Sequence, residues 1–291
     1  MSRKILSLIL CAVILLGLCS CAGNKDTDEP GSNTYNPDSS QTSDATGESE
    51  EATDGAVKLT VPEGYTLLRI AWLLEEKEIC STDDFLKAVE DYDLSKRPLL
   101  EALSKKENIC FKLEGYLFPA TYSFKKGEDP VNVIDKMLDA FESRMDADTI
   151  IRAGDLGFTI HEILTIASII EKEAKTDEQR ALISSTIHNR LKKGMRLEYD
   201  VTVKYCTQVI EVQYPDKIDH YKYFYNGNRV DGIIEGPICN PGMSSIHAAL
   251  YPEETDYLFF VIDTEPPYHD AFAVTYEEHL KNVEKWKNGE L

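Results

Sequence analysis

The chain has 291 residues, 42% of them hydrophobic, and a formal net charge of −20 at pH 7. This length leaves room for one large domain or two modest ones. The acidic excess argues against nucleic acid and anionic lipid headgroups as partners through simple electrostatics. Residues 58–291 retain a charge of −14 once the +2 of residues 1–21 and the −8 of residues 22–57 are set aside.

Residues 1–21 have the pattern of a secretory leader. The pair Arg3-Lys4 precedes an apolar run from Ile5 to Leu18, which has the length of a signal-peptide core and is short for a bilayer span of ~20 residues. The string Leu18-Cys19-Ser20-Cys21 resembles a bacterial lipobox, and this resemblance implies lipidation of Cys21. A retained leader acting as a single N-terminal transmembrane anchor is the alternative. Both interpretations predict that the rest of the chain lies at the extracytoplasmic face of the bacterial cell membrane.

Residues 22–57 carry nine acidic residues and one lysine, with many Ser, Thr, Gly and Pro residues and one aromatic side chain. Such a composition buries too little apolar surface to offset the entropy lost on ordering. We therefore expect a disordered acidic tether.

The next segment predicts a small module. Val57 to Val61 alternates like a strand, Thr66 to Glu76 has the pattern of a helix, and Ser81 is a suitable cap for a second helix. Strand, helix, helix is the order of a LysM-like module, which we assign to residues 58–112. A packing appendage without a ligand is the alternative.

An aromatic-rich segment, residues 113–124, carries Glu114 beside a glycine and Tyr116 two positions later. Aromatic faces beside a carboxylate are suited to sugar rings, which stack through their C–H faces while their hydroxyls find acceptors. Burial in the hydrophobic core is the competing interpretation for most of these side chains.

A central helix is predicted from Phe158 to Ala174. Thr159 and Glu162 form a capping box at its start. At 100° per residue its apolar positions fall on two sides of the helix, which is typical of a buried helix.

Glu171 falls within one apolar stripe of this helix, where a leucine would be expected. Burial there would raise the pKa of the Glu171 carboxyl, and a carboxylic acid that stays protonated near neutral pH is suited to act as a general acid. The alternative is a solvated last turn on which Glu171 and Glu173 flank Lys172.

The helix that follows starts at a capping box on Thr176 and carries Arg190 near its end. Arg196 and Asp200 come soon afterwards. Arginines in this position could hold a carboxylate or sugar oxygens. Their ordinary use is a surface ion pair worth about 1 kcal/mol or less.

The last third of the chain has weaker signals. Residues 207–232 lack clear periodicity and are predicted to form a long loop, whereas Tyr257–Asp263 is an apolar run predicted to be a central strand. Asn240 lies in an irregular loop between two prolines. Thr275 and Glu278 form a third capping box, which starts a closing helix.

The cysteines outside the leader are Cys80, Cys110, Cys206 and Cys239, far apart and without a CxxC motif. Their spacing argues against a zinc site, so we expect buried free thiols. We predict neither a metal nor a cofactor.

Several strings of this chain, in the same order, resemble the endolytic murein transglycosylase family (MltG, YceG-like), and the match runs from about residue 58 to the end. The strings are Glu114-Gly-Tyr-Leu-Phe-Pro-Ala-Thr-Tyr122, Ala167-Ser-Ile-Ile-Glu-Lys-Glu173, His188-Asn-Arg-Leu191, Met195-Arg-Leu-Glu-Tyr-Asp200, Gly236-Pro-Ile-Cys-Asn-Pro-Gly242, Tyr257-Leu-Phe-Phe-Val261 and the closing Thr275 with Glu278-His279. The chain departs from the family at Val201, where a proline is usual, and at His269, which is a loose match.

The resemblance implies an α+β fold in which a small LysM-like module precedes a mixed α/β catalytic domain at residues 113–291. It implies cleavage of MurNAc–GlcNAc bonds in nascent peptidoglycan strands, with 1,6-anhydroMurNAc ends as products and with termination or trimming of strand elongation as the outcome. Peptidoglycan synthases are the candidate protein partners. A lysozyme-like hydrolase and a non-catalytic wall-binding lipoprotein are the alternatives.

The resemblance also implies which residues act. It places the catalytic glutamate on Glu171 and gives Glu173 a supporting role. Residues expected to bind or support the substrate are Glu114, Tyr116, Arg190, Arg196, Asp200 and Asn240.

Overall fold

The computed structural model describes residues 55–263 and 268–291. The predicted leader, with its lipidation site at Cys21, lies outside the described residues, as does the tether up to residue 54. The described residues all belong to one compact unit. The predicted boundary at residue 112 therefore stays a prediction.

Helices and short strands make up the described chain, which confirms the α+β class. The strands are β1 (Ala56–Thr60), β2 (Thr121–Lys125), β3 (Phe259–Ile262) and β4 (Asp270–Ala273). The helices are α1 (Leu67–Glu76), α2 (Thr82–Asp91), α3 (Pro130–Glu142), α4 (Ala147–Asp155), α5 (Ile160–Glu173), α6 (Asp177–Lys192), α7 (Asp200–Tyr205), α8 (Ile218–Tyr225), α9 (Met243–Leu250) and α10 (Tyr276–Lys287). Short 3₁₀ turns lie at Leu94–Lys96, Pro98–Lys105 and Pro215–Lys217.

Strands β1 and β2 form an antiparallel pair in which Ala56 lies opposite Lys125 and Thr60 lies opposite Thr121. The hydroxyls of Thr60 and Thr121 share a hydrogen bond of 2.9 Å. The strand, helix, helix segment is therefore completed by β2, which lies after the predicted module boundary at residue 112. β1 begins at Ala56, inside the segment that the sequence assigned to the tether.

Local capping signals predicted the helix starts correctly. Thr159 and Glu162 form the expected capping box at α5, and equivalent boxes start α6 at Thr176 and α10 at Thr275. The side chain of Ser81 caps α2. Each cap satisfies amides that have no partner inside the helix.

The prediction of a long loop at residues 207–232 was wrong. The chain continues from α7 through a π-helical turn (Cys206–Ile210) into Glu211–Gln213, and α8 follows. Ile210 and Tyr225 are buried, so tertiary packing stabilises helices that the periodicity of the sequence does not predict.

The apolar run at Tyr257–Asp263 was wrongly predicted to be a central strand. Its strand β3 pairs with β4 in a two-stranded antiparallel sheet, and each of its residues is half-buried. Of the free cysteines outside the leader, Cys110, Cys206 and Cys239 are buried and Cys80 is half-buried.

Helix α5 lies at the centre of the fold, with α6 and α9 packed against it. Every residue from Ile163 to Ile170 is buried. Such complete burial confirms the prediction made from the two apolar sides of this helix.

Asn240 connects the segment around α1 to the rest of the chain. Its Oδ1 accepts the amide hydrogens of Gly115 (3.0 Å) and Leu117 (2.9 Å). Its Nδ2 donates to the carbonyl of Tyr65 (2.9 Å) and to Oε1 of Glu114 (3.0 Å). The side-chain amide is fully buried, and these four bonds use all its hydrogen-bonding positions.

Gly115 allows this close approach. Its φ is +89°, and a Cβ at this position would lie 2.4 Å from Cγ of Pro237. A side chain there would clash with the Asn240 loop as well as strain the backbone.

Glu114 forms the other half of the same network. Its Oε1 accepts the amide hydrogen of Leu67 at the start of α1 (2.8 Å), and its Oε2 accepts the hydroxyl of Tyr205 (3.0 Å). The side chain is 2% exposed, and burial raises its pKa to about 8, although these hydrogen bonds offset part of the rise.

No single helix in residues 55–263 and 268–291 combines the length and the apolarity of a bilayer span. Helices α4 and α5 meet these two criteria only when taken together, and they are bent by 87° relative to each other.

The Glu114→Gln variant should lose much of the pH dependence of stability. The folded-state pKa of Glu114 exceeds the ordinary value of 4.5, so the folded protein holds a proton that the unfolded chain releases above that pH. This carboxyl therefore lowers the free energy of unfolding as pH rises from about 5 to about 8, by at most about 5 kcal/mol. Urea unfolding at pH 5 and pH 8 measures the effect.

The matched control for this prediction is Glu101→Gln, because Glu101 is an exposed carboxyl. Glu101→Gln should keep the wild-type fall in stability between the two pH values. An equal fall in wild type and in Glu114→Gln would contradict the account of Glu114.

Candidate active site

The polar end of α5 holds the two carboxylates that the sequence singled out. Glu171 and Glu173 follow directly on the buried stretch that ends at Ile170. Two residues correspond to about 200° of helical rotation, so the side chains leave the helix on nearly opposite sides. The two carboxylates therefore have different neighbours and different chemistry.

Glu171 is half-buried and not enclosed in apolar surroundings, contrary to the expectation from its apolar stripe. Its Oε2 accepts a hydrogen bond from the hydroxyl of Ser245 (2.5 Å) and another from the amide of Gly242 (3.3 Å). Arg180 in turn donates through Nε to the Ser245 hydroxyl (3.2 Å). This chain of bonds attaches the end of α5 to the start of α9.

Glu63 lies beside Glu171, and sequence reasoning did not find it. Burial of its carboxyl and then the charge of Glu171 raise the pKa of Glu63. A Cβ on Gly242 would lie 2.0 Å from Cδ of Glu63, so a side chain there would displace this carboxylate. Glu63 follows Pro62 in a turn, where no local pattern distinguishes it from a surface residue.

Glu173 points to the other side, towards α7. Burial first, and then the nearby charge of Asp200, raise the pKa of Glu173 to about 7. The positive charge of Lys204 and a hydrogen bond from the amide of Val201 offset part of this rise. The carboxyl of Glu173 is therefore about half protonated at neutral pH.

Glu173 lines a cavity of about 300 Å³, which we call the Glu173 cleft. Its lining combines charged groups, aromatic rings and a histidine: Glu173, Arg190, Leu197, Glu198, Tyr199, Asp200, Leu258, Phe259, Phe260 and His279. Apolar faces with a few convergent polar groups are the usual composition of a ligand site.

Two of the predicted site residues, Arg190 and Asp200, lie in this cleft. Arg190 is 8% exposed and mainly supports the walls, since it donates to the carbonyls of Leu258 (2.7 Å) and Leu197 (2.7 Å). Asp200 is exposed and its charge acts directly on Glu173.

Arg196 does not join them. It is not part of the cleft lining, and its Nε donates to Asp231 (2.7 Å) in an exposed ion pair. The structure therefore supports the ordinary interpretation of this arginine, as a surface ion pair.

The structure places Glu114, Tyr116 and Asn240 inside the protein, where none is more than 2% exposed. They support the fold around α5 and do not present their side chains to a ligand in this structure. The hydroxyl of Tyr116 shares a 2.9 Å hydrogen bond with Nδ1 of His161, whose Nε2 lies 2.8 Å from the carbonyl of Glu235. A carbonyl can only accept, so Nε2 donates and Nδ1 accepts from Tyr116.

His279 is the cleft residue that sequence reasoning missed and that has an unsatisfied atom. Its ring stacks on Phe259 with centroids 5.4 Å apart, and its Nδ1 is buried without a hydrogen-bond partner among the described residues. Burial, and then the charge of Arg190, lower the pKa of His279. His279 belongs to the closing string that matches the family, but it was given no site role, because the cleft forms only when α10 packs on β3.

Comparison with known proteins finds relatives of the same family that the sequence resembles, and the matches cover most of the chain. The model of the YceG-like family matches residues 29–285. A crystal structure of a yceG-like protein from Listeria monocytogenes superposes with a TM-score of 0.64 at 36% identity, covering 77% of this chain and 75% of that one.

Two relatives carry the name endolytic murein transglycosylase. The protein of Streptococcus pneumoniae is 34% identical over 252 residues, which are 80% of this chain and 45% of that protein. The protein of Bacillus subtilis is also 34% identical over 252 residues, which are 81% of this chain and 66% of that protein. The chain thus spans about half to two thirds of the length of these relatives. By the extent of the family match, the chain belongs to the YceG-like family.

Proposed function

We propose that the chain is an endolytic lytic transglycosylase that cleaves the glycan strands of peptidoglycan, with Glu173 as its general acid. The observation that carries this proposal is a carboxyl with a pKa of about 7 in the lining of a cleft. A general acid is most effective when its pKa lies near the working pH. The names of the Streptococcus pneumoniae and Bacillus subtilis relatives agree with this function.

Two differences favour Glu173 over Glu171, which the sequence placed first. Burial keeps the Glu173 carboxyl partly protonated near neutral pH. The Oε2 of Glu171 is instead occupied by the hydrogen bonds from Ser245 and Gly242. Under this proposal Glu171 is a positioning residue, which fixes the last turn of α5 against α9 so that Glu173 faces the cleft.

One carboxyl can perform both proton transfers of the reaction. Protonated Glu173 donates its proton to the glycosidic oxygen while the bond from that oxygen to C1 of MurNAc breaks. The Glu173 carboxylate then accepts the proton of the C6 hydroxyl of the same MurNAc, whose oxygen attacks C1 and closes the 1,6-anhydro ring. The proton returns to Glu173, no water is consumed, and the acid is ready for the next cleavage.

The remaining cleft residues are suited to hold the sugars. Tyr199 and Phe260 stack on each other with centroids 5.7 Å apart and contribute aromatic surface. Asp200 and Glu198 provide acceptors for sugar hydroxyls, and Arg190 provides a cation whose position is fixed by backbone carbonyls.

A second candidate function rests on Asp200. A lysozyme-like hydrolase uses two carboxylates, one as acid and one to activate water or to attack the sugar. Asp200 lines the same cleft as Glu173, so a second carboxylate is present there. The hydrolytic product is heavier than the anhydro product by one water, so mass spectrometry separates the two functions.

We further propose that the segment from β1 to β2 is a LysM-like glycan-binding module, because its strand, helix, helix, strand order and antiparallel pairing are those of such a module.

We also propose a lipid anchor at Cys21, at the extracytoplasmic face of the membrane, with a retained transmembrane leader as the alternative. Peptidoglycan synthases are the expected partners, because they would supply nascent strands at the same face.

The Glu173→Gln variant should lose about 10²–10⁴-fold in turnover, the usual contribution of a general acid. The amide cannot donate a proton to the glycosidic oxygen, and its shape preserves the fold. The loss is measured as release of 1,6-anhydro-muropeptides from purified glycan strands by the full-length protein, with the products identified by mass spectrometry.

Glu171→Gln is the matched control for that experiment. Its amide oxygen can still accept the hydrogen bonds from Ser245 and Gly242, so we expect its turnover to stay within about tenfold of wild type. Wild-type turnover in Glu173→Gln together with inactive Glu171→Gln would transfer the acid role to Glu171.

Charge changes around Glu173 should move the pH profile in opposite directions. Asp200→Asn removes a charge that raises the pKa of Glu173, so the basic limb of kcat/KM should move to lower pH. Lys204→Gln removes a charge that lowers this pKa, so the limb should move to higher pH. We expect shifts of up to about one pH unit, measured as anhydro product formed between pH 5 and pH 9.

Lys281→Gln removes an exposed lysine paired with Glu277 and should leave the limb in place. A limb that moves the same way in Asp200→Asn and Lys204→Gln would show that it does not report Glu173.

A further inference from the structure

A second cavity, of about 360 Å³, lies between α1 and α7, and we call it the cationic cavity. Its lining consists of Thr66, Leu68, Arg69, Trp72, Lys172, Val201, Lys204, Tyr205, Gln208, Val209 and Ile238. Three of these residues are cations and none is acidic. In a chain with a net charge of −20, a lining whose charged residues are all cations is unexpected.

The three cations lack carboxylate partners within the part of the chain that the structure describes. No ion pair there involves Arg69, Lys172 or Lys204. Lys172 donates only to the carbonyl of Gly64 (3.2 Å), which fixes the ammonium without neutralising it. Lys204 and Lys172 act at longer range on the carboxyls of Glu173 and Glu114. The three cations still repel one another, and a bound anion between them would offset that repulsion.

Trp72 adds a second kind of contact. Its side chain is 48% exposed at this cavity, although its helix α1 otherwise buries Leu68, Ile70 and Ala71. The large exposed indole of Trp72 offers a surface on which a sugar face or a peptide stem can pack. The cations beside it can then bind a charged group of the same ligand.

The cationic cavity adjoins the Glu173 cleft. Val201 lines the cavity, and its amide donates a hydrogen bond to Glu173. Lys172 lies between Glu171 and Glu173 in sequence, and the charge of Lys204 acts on the Glu173 carboxyl. Neighbouring residues of the chain thus line the two cavities, so one extended substrate could contact both.

We propose that the cationic cavity binds a carboxylate of the peptide stem carried by the substrate, so that the protein distinguishes peptide-bearing strands from peptide-free strands. The inference rests on the proposed function for the identity of the substrate. It assigns recognition to Arg69, Lys172 and Lys204, with Trp72 packing on the stem. A carboxylate between two or more cations forms charge-assisted hydrogen bonds, which are the strong class.

Binding can be measured without turnover. The chain has two tryptophans, so a protein with Trp286→Phe and Glu173→Gln reports on Trp72 alone and does not cleave its ligand. The ligands are the soluble disaccharide GlcNAc-MurNAc with a tetrapeptide stem, the same compound with its stem carboxylates amidated, and the peptide-free disaccharide with its lactyl carboxyl blocked as an amide. The fluorescence of Trp72 gives the Kd of each.

We expect the free-carboxylate compound to bind about tenfold or more tightly than the other two, and to shift the emission of Trp72. Arg69→Gln and Lys204→Gln, each alone, should remove most of this preference. Lys105→Gln, which removes one positive charge at an exposed site, should preserve it.

Equal affinity for all three ligands would overturn the inference, as would inorganic phosphate that competes at the same concentration as the stem carboxylate. Failure of the proposed function has a different signature, because it would abolish the anhydro product in wild type while leaving these binding ratios unchanged.

Discussion

The site depends on the burial of α5. Eight consecutive residues of this helix, Ile163–Ile170, are enclosed by protein, so its polar end is fixed by packing on all sides. The carboxylates that follow cannot adapt their positions as surface side chains do. One is used to attach α5 to α9, and the other lines a cleft where burial raises its pKa to about 7. The same rigid helix end therefore provides both a structural anchor and a candidate acid.

A second constraint fixes the segment around α1 relative to this helix. Glu114 binds the first amide of α1, and Asn240 binds the main chain of the aromatic segment and that of Tyr65, just before α1. Since both side chains are buried, their hydrogen bonds are strong and costly to break. This network places Arg69 and Trp72 opposite Lys204, and it thereby creates the cationic cavity from two segments that are distant in sequence.

Sequence reasoning succeeded where the signal is local. The capping boxes at Thr159 and Thr275 and the buried character of α5 follow from residues a few positions apart. It failed where the cause is distant. Helix α8 is stabilised by the burial of Tyr225 and not by its own periodicity, and β1 finds its partner β2 some sixty residues later in the chain.

The choice between the two glutamates shows the same limit. Helical periodicity put Glu171 in an apolar stripe. Its actual neighbours are Ser245, Gly242 and Glu63, which lie outside α5 and so do not affect the periodicity. The pKa of Glu173 is likewise set by burial under residues of α7 and by Asp200. Pattern and resemblance put the acid on Glu171, whereas the proposal of Glu173 rests on contacts from distant parts of the chain.

The most direct test of this account is the titration of the Glu173 carboxyl itself. Carbon-13 NMR of glutamate-labelled protein, compared with the Glu173→Gln variant, identifies its resonance without substrate. The account predicts that this resonance titrates with a pKa of about 7. Titration at the ordinary glutamate value of 4.5 would contradict it.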